Sequence, residues 1–166
     1  ADMHDEAIEM LTHLSMFFRT ALSKGEDVIS LFDEVLHTKS YLEIQQIRYS
    51  DILEYSINLP EEFEMISLPK LTLQPLVENA LYHGVKEKRG QSKITITFDD
   101  AGDDIIIQVL DDGIGMKEER LQEVKEGLKQ NNNVGFGLAA VQGRLVLYFG
   151  AGYGIDIWSK YGEGTR

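Results

Sequence analysis

The sequence predicts an α+β fold: an N-terminal helical pair, then a two-layer α/β sandwich with helices on one face of a mixed sheet. Three observations predict it. Residues 5–48 lack Pro, hold one Gly and repeat apolar residues at helical spacing. Residues 93–98 then alternate strictly and residues 105–110 are apolar at nearly every position, so the period changes from 3.6 to 2 in mid-chain. Helical patterns recur at 117–129 and 138–149, which places helices and strands in one layered unit. The 166 residues suffice for one domain of ordinary size, or a small domain with a helical appendage.

In chain order, Ile8, Leu11, Phe18 and Leu22 form the stripe of the first helix, and Val28, Phe32, Val35 and Leu42 that of the second. Ser23-Lys24-Gly25-Glu26-Asp27 interrupts them, with Asp27 as the expected N-cap. The stripes read as core, although a dimer seam would use the same residues. Residues 52–57 alternate weakly and predict a strand, and Pro60 opens the acidic loop Glu61-Glu62-Phe63-Glu64. A helix is expected over 73–86, with Pro75 tolerated in its first turn. In 93–98, Ile94, Ile96 and Phe98 share one face and Thr95 and Thr97 the other. Asp99-Asp100-Ala101-Gly102 joins this strand to 105–110 as a hairpin. Residues 117–129 read as a charged surface helix and Gln130-Asn131-Asn132-Asn133 as a polar loop. The helix 138–149 aligns Leu138, Val141, Leu145 and Tyr148, and 153–159 reads as a further strand.

Composition narrows the function. A hydrophobic fraction of 43% with 27% charged residues is that of a soluble globular protein. A net charge of -12 argues against nucleic-acid binding, which demands clustered Lys and Arg. A nucleotide remains possible, because a metal and backbone N–H groups can neutralise phosphates. The absence of cysteine excludes disulfide frameworks and Cys-based metal sites. No apolar run approaches the roughly 20 residues of a membrane span. With no signal peptide and no initiator Met, the chain reads as a cytoplasmic piece of a longer protein.

Three short motifs carry chemistry. On the helix 73–86, at about 100° per residue, Leu73, Leu76, Val77, Ala80, Leu81 and Gly84 share one face. Asn79, His83 and Lys86 project from the opposite face, with Glu78 on its flank. A solvated helix face normally carries Lys and Glu, so Asn and His invite a functional reading beside that of a merely polar surface. The Asn79 amide oxygen would ligate Mg²⁺, a hard cation that takes oxygen donors and keeps several waters. Glu78 would orient or deprotonate a nucleophile, and His83 and Lys86 would face phosphates. In the second motif, Asp111-Asp112-Gly113-Ile114-Gly115-Met116, Asp111 has the parity of Ile105, Ile107 and Val109. It therefore continues the buried face of its strand and needs a partner. Gly113 and Gly115 allow positive φ and close approach of a ligand, and Asp-Gly alone would also make a tight turn. The third motif, Gly135-Phe136-Gly137-Leu138, opens a helix whose N–H groups suit phosphate. Gly135-Phe136-Gly137-Leu138-Ala139-Ala140 also spells a dinucleotide fingerprint, but that reading requires a strand before the first glycine. Asn131-Asn132-Asn133-Val134 is too polar for one. The glycines read better as the hinge end of a lid spanning 117–134.

In order and spacing these motifs resemble the N, G1 and G2 boxes of the GHKL ATPase superfamily. Leu73-Gln74-Pro75-Leu76-Val77-Glu78-Asn79-Ala80 with His83-Gly84 is similar almost letter for letter to the sensor histidine kinases of the LytS and YesM type. Tyr41-Leu42-Glu43-Ile44, Arg48-Tyr49, Gly143-Arg144-Leu145, Tyr148-Phe149-Gly150 and Gly162-Glu163-Gly164-Thr165 are similar to that group as well. The resemblance implies the GHKL fold, with ATP and Mg²⁺ as ligands. It implies that Asp111 accepts from the exocyclic amine of adenine and that Thr165 lies on the adenine side. It further implies an ATP site made of Asn79, His83, Lys86, Asp111, Gly113, Gly115, Met116, Gly135, Phe136, Gly137, Leu138 and Thr165. Asn79 would hold the metal and Glu78 would be catalytic. Ala140 departs from the family's Asn, and the lid lacks a Phe-rich box, as do the shorter lids of this group.

No Pro-His-Phe-Leu-Phe-Asn-like phosphoacceptor motif occurs, and His4-Asp5-Glu6 lacks the Arg and Pro of the alternative acceptor box. Ser15-Met16-Phe17-Phe18-Arg19 resembles the segment just after the acceptor helix in that group. His13 and His37 read as ordinary residues of amphipathic helices. The expected division is thus 1–50, the tail of the dimerisation and phosphoacceptor region, and 51–166, the ATP-binding catalytic domain lacking its last strand. The parent would pass the γ-phosphoryl of ATP to a His outside this chain and on to a response regulator. It would dimerise through upstream helices and meet the membrane only through other parts, this portion being a cytoplasmic domain of a membrane-anchored bacterial protein. A serine kinase or ATPase of another GHKL branch is the second reading. A non-catalytic ATP-sensing module is the third, and Glu78, Asn79, Asp111 and the glycine pairs argue against it.

Overall fold

The computed structural model describes residues 3–22, 25–88, 90–130 and 136–166. Helices α1 (Met3–Leu22) and α2 (Leu31–Arg48) form the expected pair. The cap of α2 is not Asp27. Residues Val28–Ser30 form a short strand, β1, antiparallel to β3 (Ser67–Pro69), with Ile29 opposite Leu68. Ser30 then caps α2, its Oγ accepting from the Asp33 N–H at 3.1 Å. Ser and Asp are equally good caps, so the distant strand pairing decides where the helix starts.

Phe17 of α1 stacks on His37 and leans on Tyr41 of α2. The predicted stripe of α1, Ile8, Leu11, Phe18 and Leu22, stands exposed instead of forming core. Packing on α2 covers the Phe17 side of the helix and leaves that stripe uncovered. On α2, Leu31, Tyr41 and Leu42 turn inward while Phe32 stays at the surface.

The sheet is mixed, as predicted. Strands β2 (Leu53–Ile57), β4 (Ser92–Asp100), β5 (Ile105–Asp111), β6 (Ser159–Lys160) and β7 (Gly164–Thr165) lie in the order β2-β4-β5-β7-β6. Among the described residues only the β2–β4 pair is parallel. Ile94, Ile96 and Phe98 point from β4 into a core completed by Leu31, Leu42, Leu73, Val77 and Leu81. That matches the alternation of 93–98. The strand expected over 153–159 shrinks to β6. Trp158 and Arg166 exchange both main-chain hydrogen bonds, at 2.8 and 2.7 Å, and the ladder stops there. Residues 153–157 have no strand opposite them among the described residues and run irregularly. On that side β5 is paired only through Asp111, opposite Thr165.

The helix expected over 73–86 is two structures. Helix α3 (Leu73–Asn79) is regular, and from Ala80 to Val85 the chain loosens into a π-type turn, closed by the Lys86 N–H on the Leu81 carbonyl at 3.0 Å. Such turns are rare and concentrate at functional sites. The start of α3 is capped from another helix. Glu34 of α2, fully buried, accepts from Leu73 N–H at 2.8 Å and from Leu71 N–H at 2.9 Å. Leu71 has φ 58, a left-handed conformation costly for leucine. It is pinned on its other side by the Arg144 guanidinium, which donates to its carbonyl at 2.6 Å. Burial raises the Glu34 pKa, and the N–H donors around it oppose that rise. Glu34→Ala strands two N–H groups at a helix start, so we expect a loss of about 2–4 kcal/mol in urea unfolding. A loss under about 0.5 kcal/mol, below that of an ordinary hydrogen bond, would show that α3 does not depend on this cap.

Helix α4 (Glu118–Gln130) packs on α5 (Phe136–Phe149), and α5 packs on α3 and β3. Helix α4 is charged outside, yet it buries Leu121, Val124 and Leu128 against Leu138 and Ile157. Much of the expected lid is therefore a packed helix. Its remainder, 131–134, and Gly135 lie outside the described residues, as does the Phe136 side chain. No helix among the described residues is long and apolar enough to cross a membrane.

Candidate nucleotide-binding site

A cavity of about 1270 Å³ opens between the π-type turn, the end of β5 and α4. It is large enough for a ligand of nucleotide size. Asn79, His83 and Gly84 line it from one side, and Asp111, Gly115 and Met116 from the other. Leu138 of α5 and Thr165 of β7 complete that end, and an apolar trough continues past Ile107, Val109 and Ile155. Glu78, Lys86, Gly113 and Gly137 are not part of its wall.

Asp111 is the last residue of β5, paired with Ile94 on one side and Thr165 on the other. It is only 8% exposed. One oxygen accepts from the Gly113 N–H at 2.9 Å, and no ion pair reaches it among the described residues. Burial pushes its pKa up to about 6, against the N–H groups of Gly113 and Thr165. A carboxylate in this setting fits a neutral hydrogen-bond donor from the cavity, which an adenine amine supplies. Its neighbour Asp112 behaves oppositely. Partial burial pushes its pKa up, but the Lys93 N–H at 2.7 Å and the Lys88 ammonium at 3.2 Å outweigh it, and the net shift is down.

The glycines act by contact more than by dihedral. A Cβ on Gly84 would lie 2.4 Å from Asp111 Oδ1, and one on Gly113 would lie 2.2 Å from the Gly84 carbonyl carbon. Gly113 does not take the positive φ expected of it; only Gly115 does, at 65°. Its role is to let the loop after β5 press against the π-type turn. Ile114 N–H donates to the Gly84 carbonyl at 3.2 Å, and Gly162 N–H to the Ile114 carbonyl at 2.7 Å. On the far side Met116 N–H donates to Ser159 Oγ at 2.8 Å, which itself lies 2.9 Å from the Thr165 hydroxyl. Ser159 and Glu34 support the site and carry no local sequence signal.

Asn79 donates from Nδ2 to the Pro75 carbonyl at 2.6 Å. A carbonyl can only accept, so the amide orientation is fixed and Oδ1 is left as a hard oxygen donor beside the cavity. One protein oxygen, with waters and phosphates for the rest, is a usual Mg²⁺ set. His83, 74% exposed, stands 3.8 Å from Glu87 at the mouth. Lys86 is elsewhere, its ammonium 4.5 Å from the Tyr82 ring centroid and 5.0 Å from that of Tyr49. The wider winding turns less than 100° per residue, and this rotates Lys86 off the face it was expected to share with Asn79 and His83. One Glu78 oxygen accepts from Gln74 Nε2 of its own helix at 2.8 Å, and its charge acts on Tyr41 of α2. Gly137 lies in the first turn of α5, where an added Cβ would sit 3.3 Å from Pro75.

Residues 68–166 match the family described as histidine kinase-, DNA gyrase B-, and HSP90-like ATPase, and residues 1–53 match the histidine kinase family. The chain belongs to this ATPase family, and it carries the ATP-binding catalytic domain of a sensor histidine kinase. It is 31% identical to sensor histidine kinase BtsS of Escherichia coli over 98% of this chain and 27% of that protein. It is 35% identical to sensor protein LytS of Oceanobacillus iheyensis over 88% of this chain and 26% of that one. With sensor histidine kinase YesM of Bacillus subtilis it shares 30% identity over its full length and 28% of the relative. The chain thus spans little more than a quarter of the relatives it matches.

Proposed function

We propose that the cavity binds Mg-ATP and that the longer protein passes the γ-phosphoryl to a histidine outside this chain. The observation that carries this reading is Asp111, a buried carboxylate at the cavity wall, with the side-chain-free backbone of Gly84 against it and the Gly113 N–H on one oxygen. Asp111 accepts from the adenine amine, with Thr165 on the same side. Met116 and Leu138 supply apolar wall, and Asn79 Oδ1 holds the metal that neutralises phosphate charge. His83 and the N–H groups of Gly135, Phe136, Gly137 and Leu138 meet the phosphates; Lys86, turned to Tyr82, is left out. The bond between the γ-phosphorus and the ADP oxygen breaks as one to the acceptor imidazole nitrogen forms. Glu78 takes the proton that the ring loses. Phosphoryl transfer of this kind relies on positioning and charge neutralisation.

The first 50 residues serve as the tail of the dimerisation region, and residues 51–166 as the catalytic domain. The exposed Ile8, Leu11, Phe18 and Leu22 stripe fits a dimer seam with a second copy. A response regulator is the final acceptor, and the chain serves as a cytoplasmic domain of an anchored bacterial receptor; the likeness to sensor histidine kinases supports this reading. Two experiments test this reading. Labelled ATP should leave base-stable, acid-labile phosphate on a supplied acceptor helix of the parent and none on the isolated chain; label on His4 or His83, or no transfer, would contradict it. Asn79→Ala should weaken ATP binding at least about tenfold, or 1.4 kcal/mol, with Mg²⁺ and less than about twofold without it. Equal losses under both conditions would sink the metal assignment.

A further inference from the structure

We propose that Gln74 is a positioning residue for Glu78, itself fixed by the buried His37, so that the carboxylate is oriented by the packing of α1 on α2. This rests on the reading of Glu78 as the proton acceptor. A continuous hydrogen-bonded line crosses three helices. Thr20 Oγ1 of α1 lies 2.7 Å from His37 Nδ1, His37 Nε2 meets Gln74 Oε1, and Gln74 Nε2 donates to Glu78 Oε1 at 2.8 Å. His37 is 2% exposed and stacked at 4.5 Å on Phe17 of α1.

Donor and acceptor chemistry fixes the direction of the line. An ionised carboxylate only accepts, so the Gln74 amide must turn Nε2 to Glu78 and Oε1 to His37. Oε1 in turn only accepts, which requires a proton on His37 Nε2. In the neutral ring Nδ1 is then the acceptor, so the one Thr20 hydroxyl proton turns to it, at 2.7 Å, in preference to the Met16 and Phe17 carbonyls at 2.9 and 3.0 Å. Reversing Gln74 would set oxygen against oxygen at Glu78 and two donors face to face at His37. One Glu78 oxygen is thereby held and the other is left for the incoming imidazole. Around it stand Tyr41 of α2 and, one turn on, Tyr82. A rotation of α1 against α2 displaces Phe17 and Thr20 from His37 and loosens Gln74, which connects the helical pair to the transfer step without moving the cavity wall.

The test uses the full-length kinase for rates and this chain for spectra. Gln74→Leu should lower the rate of histidine phosphorylation at saturating ATP at least about tenfold, as a misplaced base does, with KM for ATP within about twofold. His37→Leu should do the same. His37→Gln should retain most of the rate, because its amide can donate to Gln74 and accept from Thr20 in the same sense. Imidazole nitrogen spectra of the wild-type chain, which need no variant to fold, should show His37 protonated at Nε2 with Nδ1 bare. A full rate in Gln74→Leu while Glu78→Gln is inactive would overturn the positioning role and leave the base in place. A full rate in Glu78→Gln would instead remove the base reading. A His37 ring protonated at Nδ1 alone would contradict the direction of the line.

Discussion

Asp111→Asn is expected to weaken ATP and ADP binding by about ten- to a hundredfold while raising the thermal stability of the nucleotide-free chain at neutral pH. The binding loss is that of a hydrogen bond to a charged acceptor, about 1.5–3 kcal/mol. The Gly113 N–H already occupies one oxygen. An asparagine there keeps that bond and turns its amino group, a donor, toward the adenine amine. The stability gain follows from linkage. The carboxyl's pKa rises from 3.8 to about 6 on folding, so the folded state holds the proton more tightly. That contribution is fully present below about pH 4 and is lost as pH rises through 6. Above it, the ionised carboxylate costs the empty fold on the order of 3 kcal/mol. Removing the charge should lift Tm at pH 7.5 by roughly 6–12 °C and flatten its dependence between pH 4 and 6. A lower Tm with unchanged affinity would mean that Asp111 is structural.

Gly113→Ala should destabilise the domain strongly, at about 3 kcal/mol or more. The new carbon would sit 2.2 Å from the carbonyl carbon and 2.4 Å from Cα of Gly84. Both are backbone, so no flexible side chain can yield. Either the loop after β5 or the π-type turn must move, and ATP affinity falls with stability because both line the cavity. Gly84→Ala should cost less, since the nearest atoms its carbon meets belong to a side chain, the Asp111 carboxyl, from 2.4 Å. Denaturant unfolding of the two variants would show the order. An Ala at 113 costing under about 1 kcal/mol, within the range of a tolerated swap, would contradict the close contact.

Much of this fold is legible in the sequence because burial writes periodicity into the chain. Ile94, Ile96 and Phe98 alternate and are buried together, and Asp111 continues the parity of its strand into the cavity wall. The misreadings fall where distant partners decide. Strand β1 exists only by pairing with β3 nearly forty residues on, and it moves the cap of α2 from Asp27 to Ser30. The α1 stripe is as amphipathic as a buried one, and periodicity does not say which surface covers it. The π-type turn leaves no period of its own, so a regular helical count sets Lys86 beside Asn79 and His83 although it faces Tyr82. Glu34 and Ser159 reach the site from remote segments and carry no motif.

Calorimetric titration of the wild-type chain with Mg-ATP and, separately, Mg-GTP tests most directly whether Asp111 reads the base. One ATP should bind per chain, with GTP at least about tenfold weaker, because its 6-oxo group would set an acceptor against the carboxylate. Equal affinity for the two nucleotides, or no binding of either, would contradict the assignment of this cavity.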